Sequence, residues 1–318
     1  MIQDVKLSNT WIPALFLYGV GLSMKILIDL TKEFLRDSIT VRGWWIQTIV
    51  KLVIIYLDAL FGVWLWLGCF NILYFLFPGM LWYQLFSVLL MSSLLMISLQ
   101  AFKCTAGTPL TIITDTINNV FSPSRYFRDT DDAPGVLKII LDTLYTHAVV
   151  HTLVIWCWWS MWELENKYIL LPCEIVIKDS KAWDSVLIAF VLSIIVFSIN
   201  KMVKNHIRNK SSCSFVISIL VSFAAFLASL NFWRGLWSVY DFYFFPNISQ
   251  DINYLISHVV GFIWSVIAGT GLTLTMSAGK DSSTPEYNHC QYWSKDILED
   301  ENDDENLTET TPILGRNL

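Results

Sequence analysis

Charge is scarce in this sequence: aspartate, glutamate, lysine and arginine make up 15% of 318 residues, where a soluble domain carries about a quarter. With 54% hydrophobic residues and a mean hydropathy of +0.51, the shortage excludes an ordinary water-soluble domain and identifies a membrane protein. The six cysteines lack CxxC or CxxH spacing. Only Cys173 falls clearly in an outer loop, so neither a disulfide framework nor a zinc site is expected. Cys104 and Cys213 sit at inner ends of apolar runs, positions open to reversible palmitoylation. Also missing are a nucleophile elbow, a Walker sequence, a dinucleotide glycine pattern and HExxH. No catalysis, no cofactor and no nucleic-acid partner is therefore expected. The N-terminus has no basic segment or small-residue cleavage site before its first apolar run, which is expected to stay as a span.

What is present is a series of seven apolar windows near the ~20 residues that cross a bilayer. They run over Trp11 to Leu30, Leu52 to Phe77, Leu81 to Phe102, Leu144 to Trp162, Ser185 to Ile199, Phe215 to Leu230, and Ile252 to Met276. Alternate connections are basic. Lys32, Arg36, Arg42 and Lys51 follow the first window; Lys103, Arg125, Arg128 and Lys138 the third; Lys201, Lys204, Arg208 and Lys210 the fifth. These twelve residues mark the cytoplasm. Lys6, Lys167, Lys178, Lys181 and Arg234 fall on the other side, which predicts an external N-terminus and a cytosolic tail. Asn247-Ile-Ser is a glycosylation sequon on the external side.

The chain also repeats itself. VWLWLGCFNILYFLFP, CWWSMWELENKYILLP and NFWRGLWSVYDFYFFP end at Pro78, Pro172 and Pro246, each with tryptophan ~13 residues before the proline and aromatics in the last turns. Proline closes a helical run because its ring fixes φ and drives the preceding residue out of the α region. Each unit reads as a long helix, a proline-ended outer turn and a shorter return helix, with the first window as a half unit. The expected fold is an all-α polytopic transmembrane helical bundle of about seven spans built from repeated helical hairpins over residues 1–276.

Residues 277–318 are polar and contain EDENDDEN, a composition that predicts a disordered acidic cytoplasmic tail. Within it ETTPIL, Glu309 to Leu314, resembles an acidic dileucine sorting signal, with Glu309 as the acid and Ile313 and Leu314 as the apolar anchors for a clathrin adaptor.

Charges inside apolar windows are functional candidates because burying each costs ~2.5 to 3.5 kcal/mol on insertion scales. Asp58 is the deepest of those weighed. In a transporter or channel it would hold a cation; in a packed bundle it is a hydrogen-bonded acid, with Lys51 nearby. His147 and His151 stand four apart on one helical face, with Asp142 a turn and a half earlier. Such a pair suits zinc in seven-span hydrolases of the ceramidase and adiponectin-receptor type, with His258 and Asp58 to complete a set. His258 sits near the opposite end of its span from Asp58 and His147, so a polar seam between helices fits better and no metal is expected. A seven-span receptor would share the topology, but no DRY-like or NPxxY sequence occurs.

In NFWRGLWSVYD, Trp233, Arg234, Gly235, Trp237 and Asp241 stand in an order that resembles the fuseless family of invertebrate multi-pass membrane proteins, with looser echoes at Trp64 and Trp158. The resemblance covers roughly residues 11 to 276. It implies eight spans, against the seven counted, and a presynaptic role in organising calcium channels and release machinery, with no enzymatic activity. The expected partners are membrane lipids, other membrane proteins including calcium channels, and clathrin adaptors through the tail. The plasma or presynaptic membrane is the expected location, with an endosomal or lysosomal membrane as the alternative. A transporter or channel using Asp58 and the His147/His151 seam is the competing function. Arg234 itself is expected at the membrane interface, in a bidentate pair with Glu163, Glu165 or Asp241, or else as a lone snorkelling base.

Overall fold

The computed structural model describes residues 11–107, 110, 115–121, 136–169, 178–206, 212–240, 243 and 249–272. All regular structure among them is helical. The main helices are α1, Ile12–Thr40; α2, Trp44–Leu76; α3, Trp82–Ser98; α4, Val136–Tyr168; α5, Lys178–His206; α6, Ser212–Val239; and α7, Gln250–Ile267. Four stretches are long and apolar enough to cross a bilayer: α1, α2, α4 and Val216–Val239 of α6. Trp82–Ser98, Trp183–Ile199 and Leu255–Ile267 are shorter apolar helices. At 33 residues, α2 is roughly 50 Å long, more than the ~30 Å hydrocarbon layer, and must tilt or project from it.

Local sequence accounts for the helix ends. Pro13 stands in the first turn of α1, where its missing N–H costs nothing. Pro78 stops α2, whose last turn closes with Phe77 N–H donating to the Leu73 carbonyl at 2.9 Å. The chain then reverses through Met80 at φ 43°, and the Gln84 side chain accepts from the Leu81 N–H at 3.1 Å to start α3. Pro172 and Pro246 lie outside the described residues.

Several helices run beyond their apolar windows, two of them through buried charges. α1 continues ten residues past Leu30, which puts Lys32 inside a helix and 1% exposed rather than in a cytoplasmic connection. α4 starts at Val136, well before Leu144. A charged side chain with a buried partner does not end a helix, and Lys32 meets both Asp58 and Asp29.

The most extensive contacts join α1 to α2, α3 to α4, and α5 to α6. These pairs are offset by one helix from the repeat read in the sequence, in which α2 leads to α3 and α4 to α5. The connection from Thr40 to Trp44 is so short that α1 and α2 must lie antiparallel. Their backbones then approach closely. A Cβ on Gly68 would stand 2.5 Å from the Tyr18 nitrogen and 2.8 Å from the Ala14 oxygen, and one on Gly21 would stand 2.9 Å from the Leu65 nitrogen. Small residues at such crossings are the usual means by which membrane helices pack, since lipid gives no hydrophobic drive between them. Between α2, α3 and α4, Leu65, Leu73, Leu85, Ile155 and Trp159 form a fully buried core. A second core joins Met96 of α3, Val150 and Trp158 of α4, and Phe226 and Leu230 of α6.

Gly68→Ala is expected to lower thermal stability in detergent by about 1–3 kcal/mol, the range for overpacking. Gly19→Ala supplies the control, because its Cβ meets nothing within 4 Å. Equal melting temperatures for the two variants would show that α1 and α2 do not touch as described.

Candidate functional site

On α1, Lys25, Asp29 and Lys32 stand at i, i+4 and i+7, so they share one face. That face meets α2 at Asp58. Lys25 Nζ donates to Asp58 Oδ1, and Lys32 Nζ donates to Asp58 Oδ2 at 2.8 Å and to Asp29 Oδ1 at 3.3 Å. All four side chains are buried, with no residue more than 3% exposed. Lys25 and Asp58 each lie roughly 20 Å along their helices, near the middle of both. Lys51, the base expected beside Asp58, donates instead to the Asp115 carbonyl at 3.1 Å.

α4 completes the cluster. Thr143 Oγ1 donates to Asp29 Oδ2 at 3.1 Å, and His147 Nε2 stands 3.9 Å from the same oxygen. His147 and His151 lie in a π-helical stretch, Tyr145–His151, set inside the α-helix; such wider turns are frequent at functional sites. Trp66 Nε1 of α2 donates to His151 Nε2 at 2.6 Å. Indole is a donor only, so Nε2 accepts, and in the neutral ring the proton sits on Nδ1. That Nδ1 is 3.5 Å from Nδ1 of His147. Asp142 is fully buried on the same helix. The structure thus brings Asp58, His147 and His151 into one seam spanning α1, α2 and α4.

His258 lies outside that seam, yet not at the opposite end from Asp58 as expected: it meets Tyr56, two residues before Asp58 on α2. It is exposed, with Nε2 3.3 Å from the Tyr56 hydroxyl. Among the described residues, no three of histidine, cysteine, aspartate and glutamate are placed to hold a metal ion.

A second polar cluster ties the C-terminal halves of α2, α4 and α6. Arg234 Nη1 donates to Glu165 Oε2 at 3.1 Å, and Asn231 Nδ2 donates to Glu165 Oε1 at 3.0 Å. The contact runs through one guanidinium nitrogen rather than a two-nitrogen fork, with the amide of Asn231 on the other carboxylate oxygen. Glu163 accepts from the Tyr74 hydroxyl at 2.7 Å. Gly235 is buried, and Trp237 packs its ring 5.6 Å from Trp162 and 6.2 Å from Trp233. Asp241, Asn247 and the tail residues Glu309, Ile313 and Leu314 lie outside the described residues.

Between α2, α4, α6 and α7 lies an apolar cavity of about 390 Å³, walled by Trp66, Trp158, Trp162 and Trp233 among others. Asp58 does not line it.

Hydropathy and motifs do not mark Lys25 and Asp29, and they place Lys32 in a cytoplasmic connection rather than in this cluster. Their signal was there: K-x₃-D-x₂-K at helical spacing inside an apolar run, opposite an aspartate in the next run. Window averaging conceals it, because a few charges among 20 apolar residues barely lower the mean.

A family model described as Fuseless matches residues 7–271. No curated protein and no solved structure matches the chain.

Asp58→Asn leaves two buried lysines facing one carboxylate in this seam, and is expected to cost about 3–5 kcal/mol of stability. Asp58→Asn with Lys25→Met should regain part of that loss. Additive losses in detergent melts would argue against the pairing. For the second cluster, Arg234→Ala should lower the melting temperature more than Arg234→Lys, because the contact uses one guanidinium nitrogen and an ammonium can still donate to Glu165 Oε2. Once Arg234 is Ala, Glu165→Gln should have little further effect; full additivity would show the two residues to be independent.

Proposed function

We propose that this chain, which belongs to the Fuseless family, is a non-enzymatic membrane organiser that holds calcium channels and release machinery at presynaptic sites. The observation that carries this reading is the neutralised core: each Asp58 oxygen accepts from a buried lysine, and the large apolar cavity does not reach it. A transported cation would need a carboxylate whose charge is not already paired with fixed bases, and a polar path, whereas a closed ion cluster fixes helices against one another. Such a body offers its exposed helix faces to neighbouring membrane proteins, with residues 277–318 as a charged tether in the cytosol. Ile313 and Leu314 would direct its trafficking through clathrin adaptors.

One observation favours transport as a second reading. The π-helical His147/His151 pair beside Asp29 has the composition of an intramembrane proton relay.

Full-length protein reconstituted in liposomes separates the two. The organiser gives neither proton nor solute flux; flux abolished by Asp58→Asn would establish the transporter instead. In neurons lacking the protein, the full chain should restore calcium-channel density at terminals, and a chain truncated after residue 276 should not. Equal rescue by both would remove the tail from the docking role.

A further inference from the structure

Neither reading of the charge clusters uses the apolar cavity. Along α2 it is lined from Tyr56 through Val63 to Phe70, positions on one helical face covering roughly 21 Å. Val63 lines it while remaining 60% exposed, so the mouth opens on apolar surface that the bilayer covers. Water does not suit this space, since a buried water needs two to four polar partners. The occupant comes from the lipid phase.

The shape of the walls decides which lipid. Trp66 stacks on Phe70 at 5.5 Å and meets Trp158 edge-on at 5.9 Å. Trp66 is also fixed from behind by its hydrogen bond to His151. These flat rings hold one another in place and present a preformed slot. A fused-ring body surrenders little internal freedom on entering it, whereas an acyl chain loses rotamer freedom at each bond it immobilises. Polarity is concentrated where His258 meets Tyr56, with Ser257 beside them. An exposed imidazole inside an apolar helix is a functional marker, and with the phenol it can both donate to and accept from one hydroxyl.

The geometry points to a sterol site: a rigid apolar ring system between the tryptophans of α2, α4 and α6, with its single hydroxyl at His258 and Tyr56. Gly261 of α7 lines the cavity, and a Cβ there meets nothing within 4 Å, so a larger side chain enters the slot without a clash at its root. The site is independent of whether the protein organises channels or transports ions.

The test uses purified full-length protein in phosphatidylcholine vesicles, labelled with a diazirine cholesterol probe and mapped by mass spectrometry. Label is expected on peptides bearing Trp158, Trp233 or Gly261, and unlabelled cholesterol should displace it. Gly261→Phe should cut labelling roughly tenfold, about 1.4 kcal/mol in affinity, with an unchanged elution profile. His258→Phe should weaken cholesterol competition about threefold or more, the effect of one lost hydrogen bond. If Gly261→Phe does not give monodisperse protein, the His258→Phe competition decides. The proposal is overturned if cholesterol does not displace the label or if neither variant changes it. A diazirine on a phosphatidylcholine acyl chain that labels the same peptides without competition by cholesterol would overturn it as well.

Discussion

Everything in the packed half of the molecule depends on the carboxylate of Asp58 being shared by Lys25 and Lys32. A charge alone at mid-membrane costs several kcal/mol, and the desolvation of two lysines and two aspartates is offset only when they meet. The lysines stand seven residues apart and clasp Asp58 from both directions along α1. Sliding α1 by one turn against α2 would strand one of them, so the cluster fixes register as well as partner. Apolar side chains cannot do this in lipid, where one leucine contact is much like another.

Register in turn permits the close approach above the cluster. Gly21 faces Leu65 and Gly68 faces Ala14 and Tyr18 only in this alignment. With α1 and α2 locked, their shared surface presents Asp29, Trp66 and the Tyr18 hydroxyl to α4, where Thr143, His151 and Thr152 receive them. The π-helical stretch lies where the two histidines must meet that surface. Its wider turn changes the direction in which they project relative to a regular helix.

Arg234 answers a different constraint. The preceding repeat carries Ser160 at the matching position and acids three and five residues later, and the fold brings the second of these, Glu165, to Arg234. Asn231 and Tyr74 occupy carboxylate oxygens of Glu165 and Glu163. The tryptophans around this cluster also wall the apolar cavity, so one set of aromatic side chains shields an ion pair on one side and shapes a lipid-facing slot on the other.

By itself the sequence determined that this is an integral membrane protein made of helices, that α2 ends at Pro78, and that the chain belongs with the fuseless resemblance carried by Trp233, Arg234, Gly235 and Trp237. Those properties are local or additive: hydropathy sums over a window, and proline acts on its own neighbours. The sequence also marked Asp58, His147, His151 and Arg234 as charges needing an explanation. Only the tertiary structure decided what they meet. The seam joins residues 25, 58 and 147, and the pairing of α1 with α2 rather than α2 with α3 goes with that ion cluster and with two close-packed glycines that no window average registers. The partner of a buried charge is set by which helix faces converge in three dimensions, and helical spacing says which residues share a face without saying which face lies opposite.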